Sequence, residues 1–472
     1  MSEELTESQK IIIKKSLGDK AKNIRSKEDN NIIYTSYYED DTYILEQISL
    51  SPRSPYSPRQ IGIDKPGFVK YSKLDDTWEI VDEFYTDDKV YRPIDDKVYW
   101  NGGVQLPSGV EEYKSISEMV KEIKEFIHEG AEIPSLYENL FPYLAMFYWA
   151  YERFPFIPYI QFVGGTGTGK TTAMEVFGSI CYKPIDTTGS LTISSIFRLA
   201  TRWKGTLLID EFDSVGEHSR EMVSFLKSGV SDRLVYRTEG DVKNFDLGVY
   251  IVKAPKLFTS EKPIDDAGLQ SRTIVVEMEK NKRKIPLYKL PKYYDKAMSI
   301  RNKLLLWRLR NLSKIDLTDV EYGFPELETF DRRVQQVITP IYYFSDEEAR
   351  QEIKIMAKEQ EEDTLRERRE SDEGKIFEAI VDTYNVNMAI SLGEIAIILN
   401  KNKRIPVQER MIGQIIRKIL GFEIKRVGTG ADKKSIVIIE SIRDISRIND
   451  LASYYGTPIQ ILRGESGESG EG

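Results

Sequence analysis

The sequence predicts an α/β fold: a five-stranded, mostly parallel sheet covered by helices, between a β-rich region and a helical region. Three observations lead to this prediction. From residue 158 to 278, short apolar runs alternate with helix-like stretches, a pattern typical of parallel sheets. A glycine-rich segment lies between the first run and the first of these helices. Segments rich in Tyr, Val and Ile come before it, and stretches with helical periodicity come after it.

Length and composition limit the classes of protein to be considered. The chain has 472 residues, 40% of them hydrophobic, and a net charge of −9, which suggests about three domains. Cys181 is the only cysteine and there are two histidines. This excludes internal disulfides and cysteine-based zinc sites and argues against a histidine-rich metal centre. The charged N-terminus carries no signal-peptide pattern. Charges and prolines interrupt the apolar stretch 140–160, so we expect a cytoplasmic protein without a membrane span.

The N-terminal region, residues 1–112, is predicted to be a β-rich domain. Its first 30 residues are charged, and Ser51–Arg59 is predicted to be a solvated loop. Runs rich in β-branched and aromatic residues, bounded by Asp-Asp and Gly-Gly turn signals, predict strands at Ile32–Tyr38, Thr42–Leu50, Gly67–Tyr71, Trp78–Tyr85 and Val90–Pro93. The sequence leaves the role of this domain open between a DNA-binding collar, an oligomerisation module and something else.

The central region, residues 113–289, is predicted to hold two leading helices and the sheet. Apolar residues at helical spacing predict the leading helices at Ser115–His128 and Ser135–Tyr151. The predicted strands are Tyr159–Val163, Lys183–Asp186, Thr206–Asp210, Tyr250–Phe258 and Thr273–Met278. The helices between them are predicted at Thr171–Ile180, Ile193–Arg202 and Ser219–Ser228.

The glycine-rich segment matches the pattern of a phosphate-binding loop. It follows an apolar strand and precedes a helix, and its residues are Gly164, Gly165, Thr166, Gly167, Thr168, Gly169, Lys170, Thr171 and Thr172. Glycines let the backbone approach phosphate oxygens closely, and the helix that follows adds the positive end of its dipole. Lys170 is predicted to reach the β- and γ-phosphates, and the Thr171 hydroxyl to hold Mg²⁺. The cofactors predicted here are ATP and Mg²⁺.

Two adjacent carboxylates end a buried strand forty residues after Lys170. Asp210 and Glu211 follow the apolar run Thr206–Ile209. In-line hydrolysis needs a metal ligand and a group that polarises the attacking water. We therefore predict that Asp210 orients the Mg²⁺ shell and that Glu211 acts on the water. Asp213 is predicted to have a structural or supporting role.

The order of four motifs resembles the AAA+ ATPases. The motifs are the phosphate loop, Asp210-Glu211, the Pro255–Ser260 segment and the Leu269–Ile274 segment. Within that class, residues 110–440 resemble replicative helicases related to the minichromosome maintenance proteins, as carried by plasmids, integrated elements and viruses. The resemblance implies an AAA+ P-loop core, a helical lid with a charged linker over residues 290–370, and a winged-helix domain over residues 371–445. Residues 446–472 are predicted to be a partly disordered tail.

The same resemblance implies roles for residues outside the phosphate loop. Arg272 resembles the arginine finger that enters the ATP site of a neighbouring subunit, where it would offset γ-phosphate charge. Arg333 resembles the second-sensor arginine of the lid, with Arg332 as its alternative. The first polar sensor is usually Asn, which is missing here. Thr259 and Ser260 are the candidates, and Glu261 follows them.

Two basic regions are predicted to bind DNA. Asp232–Val252 is expected to be a hairpin that, in the helicases it resembles, grips single-stranded DNA in a central channel. Its candidate contacts are Arg233, Arg237 and Lys243, with Phe245 as a stacking residue. In the C-terminal region, ten cationic residues face four acidic ones between residues 401 and 440, a footprint of duplex binding. The contacts predicted there are Arg410, Arg417, Lys418, Lys433 and Lys434. A plain surface hairpin and a protein-binding winged helix are the alternatives.

These features predict a DNA-dependent ATP hydrolase. The resemblance implies a helicase that forms a hexameric ring and acts in the replication of a mobile genetic element, with single-stranded DNA in its channel and duplex DNA at its winged helix. An initiator or helicase loader that hydrolyses ATP without processive unwinding is the first alternative. A regulator that uses hydrolysis only to time its release from DNA is the second.

Overall fold

The structure is a computed structural model, which describes residues 31–50, 65–187, 192–212, 219–239, 246–264, 266–286, 291–385, 390–401, 406–429, 433–439 and 442–458. The chain divides into two compact units, Met1–Met356 and Ala357–Gly472. The N-terminal β-rich region and the central sheet therefore belong to the same unit. None of the helices in the described part of the chain combines the length and hydropathy needed to traverse a bilayer.

The N-terminal region forms two small sheets. Its strands are β1 (Ile32–Thr35), β2 (Tyr37–Glu39), β3 (Tyr43–Ser49), β4 (Pro66–Ser72), β5 (Thr77–Val81), β6 (Phe84–Tyr85) and β7 (Val90–Pro93). Strands β2 to β5 pair in sequence order as an antiparallel sheet, whereas β7 lies between β1 and β6. A short helix, α1 (Lys97–Trp100), follows and is capped by the Asp96 side chain. The predicted strands 32–38 and 78–85 are each divided in two.

Three helices lead to the central sheet. Helix α2 (Ile116–Gly130) begins at Ser115, whose hydroxyl accepts the Glu118 N–H as an N-cap. The second predicted helix is wrong in its length: the chain forms α3 (Ser135–Glu138) and α4 (Phe141–Tyr148), and a 3₁₀ turn follows at Tyr151–Arg153. Pro142 stands in the first turn of α4, where proline favours a new helix start. Helix α4 is buried over its whole length.

The central sheet has five parallel strands. In chain order its elements are β8 (Tyr159–Val163), α5 (Lys170–Gly178), β9 (Ile185–Asp186), α6 (Ile193–Trp203), β10 (Leu207–Ile209), α7 (Ser219–Ser228), β11 (Leu234–Glu239), β12 (Asp246–Ile251), β13 (Lys256–Ser260), α8 (Ala267–Gln270) and β14 (Thr273–Glu277). The spatial order of the sheet is β14-β8-β13-β10-β9. Strand β13 therefore lies between the strand that leads to the glycine loop and the strand that leads to Asp210.

Strands β11 and β12 form a separate antiparallel hairpin, which pairs Leu234 with Ile251 at its base. The sequence predicted one strand over 250–258, but residues 252–255 separate β12 from β13. Lys256 is fully buried, and its ammonium donates to the carbonyls of Val252 and Ala254. These bonds turn the chain away from the hairpin and into the central sheet.

Helices make up most of the rest of the chain. The first unit continues with α9 (Pro291–Asn311), α10 (Thr318–Tyr322) and α11 (Arg332–Phe344), and α12 (Glu347–Glu370) contains the division between the units. The second unit contains α13 (Asp372–Asn385), α14 (Leu392–Asn400), α15 (Glu409–Ile415) with a π turn at Ile416–Leu420, the hairpin β15 (Glu423–Val427) and β16 (Lys434–Ile438), and α16 (Ile442–Tyr455). The predicted tail thus includes most of a helix, α16, whose Tyr455 stacks on Phe377 of α13.

A buried ionic cluster joins the N-terminal region to the central sheet. The Glu46 carboxylate of β3 pairs with Lys183 at 3.0 Å and accepts from Arg308 Nε of α9 at 2.6 Å. The Tyr182 hydroxyl also donates to Glu46, at 2.9 Å. Burial lowers the pKa of Lys183 to about 8, although Glu46 opposes the shift. Burial also disfavours charged Arg308, but the Glu152 and Glu46 carboxylates hold its pKa above its ordinary value. The cluster explains why residues 31–112 do not form a unit of their own.

Candidate nucleotide site

The glycine loop has the conformation that its sequence predicts. Gly167 and Gly169 have φ of +81° and +83°, in the left-handed region that glycine adopts at little cost. Gly164 is tightly enclosed: a Cβ at this position would lie 2.6 Å from Thr168 Oγ1 and 2.7 Å from the Met278 carbonyl oxygen. The Thr168 hydroxyl donates to the Gly165 carbonyl at 2.9 Å. Helix α5 begins at Lys170, so its first N–H groups point into the loop.

Hydrogen bonds among three side chains connect the loop to the carboxyl ends of β13 and β10. The Thr171 hydroxyl donates to Asp210 Oδ1 at 3.1 Å. Thr259, at the carboxyl end of β13, donates to the same Asp210 oxygen. Its hydroxyl oxygen also accepts the Glu211 N–H at 2.9 Å. Thr259 is fully buried, so its hydroxyl holds both members of the carboxylate pair in place.

This geometry separates the candidates for the first polar sensor. Thr259 contacts the carboxylate strand directly. Ser260 instead donates to the Lys262 carbonyl and accepts from Gln161 of β8. Glu261 is exposed. The sequence left Thr259 and Ser260 open because neighbouring strand residues point to opposite faces of a sheet, and the register of β13 against β10 was not known.

Glu211 has an uncommon backbone conformation. Its φ is +50°, in the left-handed region where a residue with a side chain is strained. The Thr259 hydroxyl receives its N–H, which fixes the turn after β10. The Glu211 side chain is exposed and lines the cavity described next. Glu211 therefore borders the same cavity as the glycine loop, which is the position that a residue polarising water would need.

A cavity of about 740 Å³ covers the loop. Its wall is formed by residues of the loop and by the segments that follow β10, β13 and β14: Thr166, Gly167, Gly169, Lys170, Thr171, Thr172, Glu211, Ser260, Glu261 and Asn281. The Lys170 ammonium lies 3.4 Å from the Gly165 carbonyl oxygen. Backbone N–H groups, a lysine and a hydroxyl beside a carboxylate make up a set that fits a magnesium nucleotide. Thr171 and Asp210 are the residues that would hold the metal.

Three arginines gather at a different place in the fold. Arg272 precedes β14, and Arg333 of α11 donates to the adjacent Ser271 hydroxyl at 3.3 Å. The pKa of Arg272 is lowered, first by its partial burial and then by the charges of Arg333 and Arg233. Asp266 partly offsets this lowering of the Arg272 pKa, and within the described residues none of the three arginines lines the cavity. The cluster thus concentrates positive charge away from the loop of its own chain.

The residues of the β11–β12 hairpin that were predicted to contact DNA differ in their surroundings. Lys243 and Phe245 lie outside the described residues. Arg237 packs over the Phe197 ring at 4.7 Å and pairs with Glu221 at 3.7 Å, so its guanidinium faces α6 and α7. Arg233 belongs to the arginine cluster. The opposite face of the hairpin is apolar and exposed, with Tyr236 59% and Val249 50% accessible.

The C-terminal unit exposes the predicted cations. Arg410, Arg417 and Lys418 lie on the solvent side of α15 and the π turn after it, and Lys433 and Lys434 are exposed at the start of β16. Lys418 also lines a cavity of about 730 Å³ with Asp444 and Asp450 of α16. Lys403 and Arg404 are outside the described residues. Arg447 donates to the carbonyls of Leu420 and Ile419 at 3.1 Å, which fixes the end of the helix that carries Arg417 and Lys418.

Comparisons with known proteins give weak structural similarities only. No family model matches the chain, and no curated protein matches it. Among solved structures, the chain is similar to the NrS-1 C-terminal region, with 13% identity and a TM-score of 0.38 over 78% of this chain and 84% of that one. It is also similar to the active helicase SCCmec type IV Cch, with 12% identity and a TM-score of 0.41 over 81% of this chain and 78% of that one. A full-length MCM homolog from Methanopyrus kandleri is similar with 10% identity and a TM-score of 0.34 over 68% of this chain and 76% of that one. Identities and TM-scores this low carry no argument about function, so the geometry of the site is the basis for the function proposed below.

Proposed function

We propose that this protein is a DNA-dependent ATPase that acts as a ring-shaped helicase, with its ATP sites at the boundaries between subunits. The observation that carries the proposal is the division of the site within one chain. The loop, the metal-binding pair and Glu211 surround one cavity, whereas Arg272, Arg333 and Arg233 gather elsewhere. Phosphoryl transfer needs cationic groups at the γ-phosphate, and a neighbouring copy can supply them.

Within this proposal, each residue of the site has a defined task. The loop N–H groups and Lys170 bind the phosphates, and Thr171 and Asp210 hold Mg²⁺, which neutralises charge on the phosphates when bound. Glu211 orients and polarises the attacking water, and Thr259 fixes Glu211 and Asp210 relative to each other. Arg272 and Arg333 act together from the neighbouring subunit. This differs from the sequence-based expectation for Arg333, which did not place it beside Arg272.

DNA contacts are proposed at two places. The α13–α14–α15 helices followed by the β15–β16 hairpin support a winged-helix domain, with α15 as the helix that enters the major groove. Its exposed cations would contact phosphates and bases. The β11–β12 hairpin would contact the single strand. Arg233 lies at the base of this hairpin and belongs to the arginine cluster. Hydrolysis of ATP beside the cluster would therefore change the contacts of Arg233 and, through it, the position of the hairpin.

The test combines hydrolysis, assembly and unwinding. A forked DNA should stimulate ATP hydrolysis, and native mass with nucleotide and DNA should show a ring, expected to be a hexamer. Glu211→Gln should bind ATP but lose turnover by about 100-fold to 10,000-fold, the range for a general base. Normal turnover by this variant would remove Glu211 from the mechanism. Strand displacement on the fork separates a helicase from a loader, which would hydrolyse ATP without unwinding.

A further inference from the structure

The segment after β14 lines the nucleotide cavity on the side away from the carboxylates. In the sheet, β8 lies between β13 and β14, and β10 lies beyond β13. Glu211 follows β10, Ser260 ends β13 and Glu261 follows it, whereas Asn281 comes after β14. The γ-phosphate must face the carboxylate that acts on the water. The nucleoside of a bound nucleotide therefore extends toward the β14 side, where Asn281 lies.

This segment is held firmly against helix α2. Glu132 Oε2 accepts the N–H groups of Lys282 and Arg283, each at 2.8 Å. The Arg283 guanidinium donates to the carbonyls of His128 and Ala131 at 3.1 and 3.0 Å, where α2 ends. Asn281 immediately precedes these anchored residues. Its position is thus set by main-chain and side-chain bonds, as a recognition residue requires.

Asn281 lies directly beside the glycine loop. A Cβ built on Gly169 would be 3.2 Å from Asn281 Oδ1 and 3.7 Å from its Nδ2. The side chain lines the cavity, and it makes no hydrogen bond with another residue in the described part of the chain. An amide offers one acceptor and one donor group side by side. Both are available to a ligand in this cavity.

We propose that Asn281 reads the nucleotide base and selects adenine. This inference rests on the proposed ATP site. Adenine presents an amino donor at position 6 beside the N7 acceptor, which an asparagine amide matches with two hydrogen bonds. Bases with a carbonyl at position 6 present two acceptors on that edge, and the amide oxygen then has no donor to accept from. Asn281 is a specificity residue and takes no part in the hydrolysis itself.

Equilibrium binding of ADP and IDP to the full-length protein tests this inference without relying on turnover. IDP has a carbonyl at position 6 where ADP has an amino group. Wild-type protein should bind ADP at least about fivefold more tightly than IDP, the lower end for a bidentate amide–adenine pair. Asn281→Ala and the near-isosteric Asn281→Leu, which has neither donor nor acceptor, should bring the ratio of the two Kd values close to one. Lys280→Ala, an exposed neighbour on the same segment, should keep the wild-type ratio.

The outcomes separate this inference from the proposed function. If wild type binds both diphosphates equally, or if both Asn281 variants keep the wild-type ratio, Asn281 does not select the base and the ATP site still stands. If wild type binds neither diphosphate, the proposed function fails and this inference fails with it. The near-isosteric variant guards against a result caused by misfolding, because it preserves the shape of the side chain.

Discussion

At the scale of single residues, the Thr259 hydroxyl has the most consequential contacts. It donates to Asp210 and accepts from the Glu211 N–H, so it contacts at once the residue proposed to hold Mg²⁺ and the residue proposed to polarise water. When a residue that orients metal ligands in this way is removed, activity typically falls by about 10-fold to 100-fold. The side chain itself does not line the nucleotide cavity.

We predict that Thr259→Val lowers ATP turnover by about 10-fold to 100-fold and leaves ADP affinity nearly unchanged, because valine keeps the shape but loses both hydrogen bonds. Steady-state hydrolysis and equilibrium ADP binding measure the two effects. Thr259→Ser is the matched control and should retain most of the activity. Equal loss in the serine and valine variants would mean that the methyl group, and not the hydroxyl, is what matters.

Lys183 leads to a prediction about how the stability of the fold depends on pH. Its pKa is lowered to about 8 in the fold by burial, against an ordinary value near 10.4 in the unfolded chain. Between these values the unfolded chain binds more protons, so the contribution of Lys183 to stability rises with pH. The stability of wild type relative to Lys183→Met should therefore increase by about 1 kcal/mol per pH unit from pH 8 to 10. Denaturant titrations at pH 7.5, 8.5 and 9.5 measure it, and a decrease over this range would contradict the lowered pKa.

At the scale of elements, the glycine loop depends on two different kinds of glycine. Gly167 and Gly169 are required by their backbone angles. Gly164 is required by space, because the Met278 carbonyl and the Thr168 hydroxyl occupy the volume of a Cβ. Gly165 has neither constraint: no heavy atom lies within 4 Å of a Cβ at that position.

We predict that Gly164→Ala weakens ADP binding on the order of 100-fold, because the loop must shift by a substantial fraction of an ångström to admit the methyl group. Gly165→Ala should leave ADP affinity within a few-fold of wild type. Isothermal titration with ADP compares the two variants. Equal loss of ADP affinity in the two variants, or a larger loss in Gly165→Ala, would contradict the packing argument.

Much of the core was predictable from the sequence, and the omissions have physical reasons. The phosphate loop, Asp210-Glu211 and α7 follow from local pattern, because a strand, a glycine turn and a helix each depend on nearby residues. The break between β12 and β13 was missed, since the bonds of Lys256 to Val252 and Ala254 that cause it leave no periodic signal. Asn281 was missed because it becomes adjacent to Gly169 only through the parallel pairing of β14 with β8.

At the scale of the whole molecule, the separation of the arginine cluster from the cavity leads to a prediction about mixed assemblies. Arg272→Ala and Glu211→Gln proteins should each be inactive. When the two are mixed, some boundaries will combine an intact Glu211 with an intact Arg272, and ATP hydrolysis should return to a measurable fraction of wild type. A mixture of Glu211→Gln with Lys170→Ala is the control and should stay inactive, because both lesions belong to the same side of the boundary.

Recovery of activity in the first mixture but not in the control would support sites shared between subunits. No recovery, with mixed assemblies present by native mass, would place Arg272 and Glu211 in the same chain's site. The apolar face of the hairpin, which includes Tyr236 and Val249, is exposed in the single chain.

The Glu46 cluster bears on how the protein can be shortened for experiments. A fragment that starts after residue 112 would lose Glu46, the carboxylate that Lys183 and Arg308 share, and would leave Glu152 as the remaining carboxylate partner of Arg308. Removing one partner of a buried ion pair typically destabilises a fold by about 3–5 kcal/mol. A shortened protein that contains the central sheet should therefore keep β1 to β7, or replace both cations with apolar side chains at the same time.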